Sequence, residues 1–447
     1  MFGIPDFVSR QWQIFVGSKA APKDADALRF GILGAANIAP MALMHAARTH
    51  PEVVVQAVAA RDKTKAAAYA KKHGIPQVLD ALLDDASIDA VYIPLPNGLH
   101  YEWTLRALAA GKHVLLEKPS VSNAAEAESL FNHALLRPQQ GGGSPQQRQP
   151  PVLVEAFHYR FQPCWAKFMS LVDPPNVTHA RAKFSVPRGF FSADDIRFNY
   201  ALAGGSLMDL GTYPCSAVRL AFGGMVPEEC SSAELRPCPP PRERCDEAFK
   251  ATFRFPNGGT AEVEGALMGS WLQTGVPGVW VEHRSVVVPD ANLPEGQEKT
   301  RTRKLYMGNF MMGFFWHRID VEDEFVVRRR GTAAAEGTGT GGAAAAAVAD
   351  EEGSVVKRWV EKRSHKAYTW EEAGLQGRGV ATGGLPSFTS YRHQLGAFVD
   401  RIRGRAGTGM WVEHDDSIAQ ARMLDMAYEK SGLGLRPTSD FEPGSMR

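Results

Sequence analysis

The sequence predicts two successive folds, an α/β domain with a parallel sheet and then an α+β domain with a largely antiparallel open sheet. Between residues 28 and 156, short apolar segments alternate with helical segments, which is typical of a parallel sheet covered on both faces. After residue 157 the segments become strand-like. The turn Pro256-Asn-Gly-Gly259 between two of them is a strong hairpin signal.

Each element of the first domain has its own local signal. Leu28–Leu33 is an apolar strand, Val53–Ala59 is a β-branched strand, and Lys63–His73 is an alanine-rich helix with charged flanks. Gly111 lies where a helix is expected to stop. In chain order the predicted elements are strand 28–33, helix 37–48, strand 53–59, helix 63–73, strand 90–94, helix 98–110, strand 113–117, helix 123–136 and strand 152–156.

The second domain and the tail are predicted from shorter patterns. The predicted elements there are strands 179–186, 249–255, 260–267 and 285–288, and helices 387–403 and 415–431. Three segments fit neither pattern: an N-terminal extension at 1–27, a Gln-, Gly- and Pro-rich insertion at 137–151, and a low-complexity Gly/Ala/Thr loop at 331–349. The predicted domains are therefore residues 28–156 and residues 157–447.

Composition excludes several classes of function. Lys and Arg number 50 and Asp and Glu 49, so no basic excess favours nucleic acid or an anionic membrane. No apolar run approaches the roughly 18 residues of a membrane span, and the N-terminus does not resemble a signal peptide, so we expect a cytoplasmic protein. The five cysteines form no CxxC pair, which favours free thiols. Cys230, Cys238 and Cys245 are loosely spaced with no histidine between them, and no metal site is predicted.

A small-residue loop after the first strand predicts a dinucleotide-binding Rossmann domain. The run Gly34-Ala-Ala36-Asn37-Ile38-Ala39 fits a relaxed G-x-G-x-x-G/A pattern at a strand-to-helix turn. Ala36 replaces the second glycine and costs one methyl group of clearance. Main-chain N–H groups at the helix start, from Gly34 to Ile38, are still expected to bind phosphate.

The end of the second strand favours NADP over NAD. A site for NAD usually carries Asp or Glu there, to bind the ribose 2′-hydroxyl. Here Ala60 leaves room for a 2′-phosphate, Arg61 is placed to bind it through a bidentate fork, and Lys65 is a second cation within reach. If the strand ends one residue later, Asp62 takes the acidic position of an NAD site and argues against NADP. The alternative to any cofactor role is that these charges form a solvated cluster at the helix start.

Further motifs lie along the chain after the phosphate loop. Together with 31–39 they are Ile93-Pro-Leu-Pro-Asn-Gly-Leu-His100, Ala110-Gly-Lys-His-Val-Leu-Leu-Glu-Lys-Pro119, 154–163, 195–199 and 203–214. Taken together, these segments resemble the Gfo/Idh/MocA oxidoreductase family. The resemblance covers residues 28 to about 325, and the form of the block 203–214, with Tyr213, is similar to the dihydrodiol and D-xylose dehydrogenases of that family. The two long insertions are departures from it.

Lys118, Tyr213 and Asp209 are the catalytic candidates, and their chemistry is consistent without the family. Oxidising an alcohol requires a base for the hydroxyl proton, and an unperturbed tyrosine has a pKa near ~10. A nearby ammonium favours phenolate, so Lys118 is expected to lower the pKa of Tyr213. If 207–220 is helical, Asp209 and Tyr213 share a face, and Asp209 either binds sugar hydroxyls or holds Lys118.

The resemblance implies further contacts. Cofactor contacts are expected from Pro94, Asn97, His100 and Glu117, with Glu117 on the nicotinamide ribose. The resemblance also implies a cis Lys118–Pro119 bond. Arg160 and Arg197 are expected to frame the substrate pocket, although a structural ion pair is an equal alternative for each.

These observations predict an NADP-dependent oxidoreductase. Hydride would pass between the nicotinamide and a hydroxyl-bearing carbon of a cyclic aldose, polyol or dihydrodiol, and no nucleic acid or membrane partner is expected. By resemblance the second domain offers an open sheet face for a homodimer or higher oligomer. The alternative is a non-catalytic dinucleotide-binding regulator of sugar pathways, against which the pair Lys118 and Tyr213 argues. A cofactor-retaining enzyme that cycles two sugars is a third reading, disfavoured because no export signal is seen.

Overall fold

The structure is a computed structural model that describes residues 4–14, 19–138, 149–192, 194–270, 274–329, 355–375 and 384–445. The low-complexity loop predicted at 331–349 lies outside these residues, as does most of the insertion predicted at 137–151. Both predicted folds are present, and the predicted fold class is confirmed.

The first domain is a six-stranded parallel sheet. Its strands, in chain order, are β1 Leu28–Leu33, β2 Val53–Ala59, β3 Gln77–Val78, β4 Ala90–Ile93, β5 His113–Leu116 and β6 Leu153–Glu155. They are arranged in the order β3-β2-β1-β4-β5-β6, so the chain reverses direction across the sheet between β1 and β4. The carboxyl ends of β1 and β4 meet at that crevice, where ligands bind in open sheets of this kind.

Helices cover this sheet as the sequence predicts; the helix Lys63–His73 has the predicted bounds and the others are shorter. After α1 Ile4–Trp12, the helices are α2 His45–Arg48, α3 Lys63–His73, α4 His100–Ala109 and α5 Ala124–Phe131. A π-helical turn, Pro40–Met44, precedes α2 in place of the start predicted at residue 37. The Asp62 carboxylate caps α3 by accepting from the Lys65 amide at 3.0 Å, and Asn123 caps α5 in the same way.

The second domain is a nine-stranded sheet. Its strands are β7 Val177–Pro187, β8 Glu229–Pro237, β9 Asp246–Arg254, β10 Thr260–Gly269, β11 Gly278–His283, β12 Val286–Val287, β13 Gln297–Gly308, β14 Arg318–Arg329 and β15 Val355–His365. The order is β15-β14-β13-β11-β7-β10-β9-β8, with β12 beside β13. Every pair is antiparallel except β7 with β10.

One face of this sheet is covered and the other is open. The helices of the domain are α6 Pro163–Met169 and α7 Thr212–Ala221, and α7 packs against β7 and β10. Val279 and Val281 of β11 are fully buried on the covered side, whereas Trp280 between them is only half-buried. The prediction of a largely antiparallel open sheet is therefore confirmed.

Two helices of the tail, α8 Ser390–Ile402 and α9 His414–Ser431, contact both domains. Phe398 of α8 meets Phe30 of β1 edge to face, with ring centroids 6.0 Å apart. In α9, Asp425 accepts from the Ala124 amide at the start of α5, and Gln420 donates to the Thr212 carbonyl of α7. The tail therefore fixes the two domains to each other.

Helix α1, which precedes β1, also packs on the protein. The Arg10 guanidinium donates to the Phe314 carbonyl at 2.7 Å and lies 3.6 Å from the ring centroid of Tyr368. Helix α1 is thus attached to the second domain, a contact that the mixed pattern of residues 1–27 gave no means to predict.

A glycine pair sets the entry to α7. Gly205 has a φ of +140°, and a Cβ there would overlap Asp246 Oδ1 and lie 2.7 Å from the Tyr428 hydroxyl oxygen. Asp246 is fully buried and accepts from the Leu207 amide at 2.6 Å. Gly205 therefore allows the close approach by which Asp246 holds the turn that leads to Asp209.

We expect Gly205→Ala to lower the free energy of unfolding by about 2–4 kcal/mol, because it adds both backbone strain and overlap with a buried carboxylate. Urea unfolding followed by tryptophan fluorescence measures the change. Gly444→Ala is the matched control, since its Cβ would meet nothing within 4 Å, and it should change the free energy by less than about 0.5 kcal/mol. Similar values for both variants would contradict this account of Gly205.

Candidate active site

Lys118 lies where β5 ends, after a strand whose last three residues are fully buried. Its Nζ donates to the Asp209 carbonyl at 2.9 Å and to Asp209 Oδ1 at 3.1 Å. The same ammonium lies 4.7 Å from the ring centroid of Tyr213. The Lys118–Pro119 bond is cis, as the resemblance implied. The structure thus brings the three catalytic candidates together, with Lys118 from the first domain and the other two from the second.

Asp209 lies at the centre of a network of charged side chains. It occupies a π-helical turn, Leu207–Gly211, directly before α7. Its second carboxylate oxygen accepts from Arg197 Nε at 2.8 Å, and Arg197 also donates to Asp195 at 2.8 Å. Burial raises the pKa of Asp209, but the charges of Lys118 and Arg197 outweigh it and hold that pKa below its usual value. Of the two roles left open, Asp209 holds Lys118 in this structure.

Tyr213 is buried in α7 beside this network, with 5% of its surface exposed. Its pKa is raised well above the usual value, first by burial and then by the neighbouring Tyr391, Glu117 and Asp209. The direction is opposite to the lowering expected from Lys118. The physical reason is that burial dominates, while the ammonium of Lys118 lies beside the ring and directs its recorded hydrogen bonds to Asp209.

Glu117 precedes Lys118 and is buried under it. It accepts from the Tyr92 hydroxyl at 2.6 Å and from the Lys118 amide at 3.2 Å. Burial raises the pKa of Glu117. Its carboxylate is therefore engaged with the first domain and with the backbone that carries Lys118.

The predicted phosphate loop opens at the end of β1. Gly34 has a φ of +110°, and its amide donates to the Ala59 carbonyl of β2. Within the residues that the structure describes, the amides of Ala36 and Asn37 donate no hydrogen bond, and Asn37 is exposed. Ile38 is partly buried against the core below. Unpaired amides before a helix start suit a pyrophosphate.

The two positively charged side chains that follow β2 are also accessible to a ligand. Arg61 and Lys65 are exposed, and neither makes an ion pair in the described part of the chain. Strand β2 ends at Ala59, and the Asp62 carboxylate is committed to the cap of α3. The competing interpretation, in which Asp62 binds a ribose hydroxyl, therefore has no support in this geometry.

The segment after β4 joins the domains. Pro94 is buried, and Asn97 Nδ2 donates to the Ala203 carbonyl of the second domain at 3.1 Å. His100 is fully buried with Nδ1 2.8 Å from the Pro119 carbonyl and Nε2 2.8 Å from the Leu95 carbonyl. Burial lowers the pKa of His100 to about 4, so the neutral ring, with one N–H, donates to one carbonyl at a time. His100 positions the Lys118–Pro119 segment in this structure.

The two arginines of the predicted substrate pocket lie in different parts of the structure. Arg197 joins the Asp209 network, and its guanidinium lies 4.2 Å from the ring centroid of Phe191. Arg160 instead pairs with Asp416 of α9 and donates to the Trp411 carbonyl at 3.2 Å. For Arg160 the structure favours the alternative of a structural ion pair.

Sequence reasoning missed Tyr391 and gave no role to His158. The imidazole of His158 stacks on Tyr391 at 4.1 Å and meets Tyr213 edge to face at 5.9 Å. Its Nδ1 lies 2.8 Å from the Ser390 hydroxyl. Because α8 follows β7–β15 along the chain, no local pattern connects these residues.

All five cysteines are buried free thiols, and the residues that the structure describes hold no group of three or more His, Cys, Asp and Glu side chains suited to a metal. None of the helices in the described ranges is long and apolar enough to cross a membrane.

Comparisons with known proteins agree with this architecture. Residues 28–137 match a family model described as an oxidoreductase family with an NAD-binding Rossmann fold, and residues 176–274 match the GFO/IDH/MocA C-terminal domain. A 3-ketoreductase from Actinomadura kijaniata, solved with NADP and TDP-benzene, aligns with a TM-score of 0.60 over 90% of this chain and 98% of its own, at 21% identity. At that identity the likeness shows the fold.

Curated relatives are closer in sequence. A D-xylose 1-dehydrogenase (NADP(+)) of Haloferax volcanii is 37% identical over 54% of this chain and 70% of its own. A trans-1,2-dihydrobenzene-1,2-diol dehydrogenase of Sus scrofa is 31% identical over 52% and 66%. A dTDP-3,4-didehydro-2,6-dideoxy-alpha-D-glucose 3-reductase of Streptomyces violaceoruber is 39% identical over 44% and 55%. On these matches, the chain belongs to the Gfo/Idh/MocA family of oxidoreductases.

Proposed function

We propose that this protein is an NADP-dependent oxidoreductase that transfers hydride between the nicotinamide and a hydroxyl-bearing carbon of a cyclic aldose, polyol or dihydrodiol. The observation that carries the proposal is the network of Lys118, Asp209 and Arg197 beside Tyr213, at the carboxyl edge of the parallel sheet. Two curated relatives are named as dehydrogenases of D-xylose and of a dihydrodiol, and these activities support the same substrate class.

The residues of the first domain fit a phosphorylated dinucleotide. The unpaired amides of Ala36 and Asn37 would hold the pyrophosphate, and Arg61 with Lys65 would hold a 2′-phosphate. When bound, the cofactor supplies or accepts the hydride. The chain's own residues then have to handle one proton and one developing oxygen charge.

Tyr213 is the proposed proton carrier. Because its pKa is raised, the phenol is protonated at neutral pH and can donate its proton to a carbonyl oxygen as that oxygen becomes a hydroxyl. In the oxidative direction the phenolate must form first and then accept the hydroxyl proton. Lys118 stabilises negative charge on the reacting oxygen electrostatically, and Asp209 with Arg197 keeps its ammonium in place.

We expect the wild-type protein to reduce NADP in a spectrophotometric screen over aldoses, polyols and dihydrodiols. Lys118→Ala should lower kcat by on the order of 10²–10³-fold, with NADPH affinity within a few fold, because charge stabilisation is lost but the cofactor loop is intact. Lys362→Ala, which removes an exposed lysine of β15, is the control. Full turnover by Lys118→Ala would overturn the catalytic assignment. NADPH binding without turnover of any substrate by the wild type would instead support the regulator.

The raised pKa of Tyr213 predicts opposite pH dependences for the two directions. Below that pKa the phenolate fraction rises about tenfold per pH unit, so kcat/KM for oxidation should rise steadily from pH 6 to 9. The reductive kcat/KM should stay nearly level over this range, since the phenol remains protonated. Initial rates in both directions provide the measurement, and Tyr213→Phe should remove the dependence. An oxidative profile already level at pH 7 would contradict a raised pKa.

Arg61→Ala should weaken NADP binding by at least about tenfold and leave NAD binding nearly unchanged, because only NADP carries the 2′-phosphate. Dissociation constants from NADPH and NADH fluorescence titrations provide the comparison. Lys72→Ala, an exposed cation at the far end of α3, is the matched control. Equal losses for both cofactors would remove the 2′-phosphate role from Arg61.

A further inference from the structure

Tyr391 extends the site from the tail. It is the second residue of α8, and its side chain is buried, with 4% of the residue exposed. Its ring stacks on the imidazole of His158 with an interplanar angle of 26°. The ring of Tyr213 meets the same imidazole edge to face, with an interplanar angle of 69°. The two tyrosines therefore converge on one histidine beside Lys118.

The hydroxyl of Tyr391 is the feature that stacking does not explain. Within the ranges that the structure describes, neither it nor the Tyr213 hydroxyl has a hydrogen-bond partner. Other buried tyrosines are satisfied: Tyr92 donates to Glu117, Tyr159 to Ser216 and Tyr428 to Asp246. In the described part of the chain neither the Tyr391 nor the Tyr213 hydroxyl oxygen is sealed from solvent, so a ligand can reach both, and a phenylalanine would stack on His158 equally well.

The electrostatic setting makes this hydroxyl a donor. Burial raises the pKa of Tyr391, with Glu117 as a second cause, so the phenol stays protonated. Tyr391 is also the largest charge contribution to the raised pKa of Tyr213, and both rings contact the imidazole of His158, so the two phenols lie close enough to meet one ligand. A ligand with two neighbouring oxygens can meet both of them.

We propose that Tyr391 is a substrate-contacting residue whose hydroxyl binds the oxygen on the carbon next to the reacting one. The site then selects cyclic substrates with two adjacent hydroxyls, such as the C1 and C2 hydroxyls of an aldose or a vicinal dihydrodiol. This inference rests on the proposed function, because it takes Tyr213 as the group that meets the reacting hydroxyl. Tyr391 holds the substrate, and the transferred proton remains with Tyr213.

The test removes either the Tyr391 hydroxyl or the substrate hydroxyl that it is proposed to bind. The kcat/KM of wild type and of Tyr391→Phe is measured for D-xylose and D-glucose and for their 2-deoxy analogues, with NADPH dissociation constants measured alongside. Wild type should favour each parent sugar over its 2-deoxy analogue by at least about tenfold. Tyr391→Phe should lose about the same factor on the parent sugars, change little on the analogues and so lose the discrimination.

Tyr101→Phe is the control, because Tyr101 is also buried but its hydroxyl is already paired with Ser129 at 2.7 Å; it should keep the discrimination. The inference is overturned if the preference for the parent sugar over its 2-deoxy analogue is equal in wild type and Tyr391→Phe, or if wild type shows no such preference. In either case, turnover by the wild type still upholds the proposed function. Weakened NADPH binding with discrimination retained also overturns it, since the hydroxyl would then contact the cofactor. If wild type turns over no aldose, polyol or dihydrodiol, the proposed function fails and this inference with it.

Discussion

The ion pair between Lys118 and Asp209 is the contact on which the site depends, because its partners come from different domains. A buried strand end delivers the ammonium, and the turn before α7 delivers the carboxylate. Breaking a buried pair leaves an uncompensated charge, so the pair resists separation of the domains. Asn97 and the two tail helices add further contacts across the same boundary.

In this site the side chains that stay charged are different from those that carry a proton for exchange. Asp209 is saturated by Lys118 and Arg197 and stays ionised, whereas burial keeps the phenols of Tyr213 and Tyr391 neutral. The charged groups can therefore stabilise a reacting oxygen without taking up a proton themselves. Lys118 and Tyr213 therefore lie close together in a site where burial, and not the ammonium, sets the direction of the pKa shift of Tyr213.

Local signals were sufficient for the first domain and insufficient for the second. Five of the six strands of the parallel sheet are short apolar runs whose positions followed from the sequence, and the motif around Lys118 lies at the end of one of them. The two-residue strand β3 was not predicted. Strands such as β13 and β14 carry charges on their faces that pair only across the ladder, as Arg303 does with buried Asp323 at 2.7 Å. The pKa of Tyr213, the ion pair of Arg160 and the place of Tyr391 depend on contacts between distant segments, which no periodicity records.

The return of the tail across both domains has a consequence for synthesis of the protein. The phosphate loop belongs to the first sheet and can form once β1 to β6 have left the ribosome. The opposite wall of the site, with Tyr391, and the outer cover of α5 are present only after residues up to Ser431 have been made. The proposed cofactor loop and the proposed reaction site thus mature at different moments, so a nascent chain can acquire a nucleotide fold well before the residues of the reaction site are assembled.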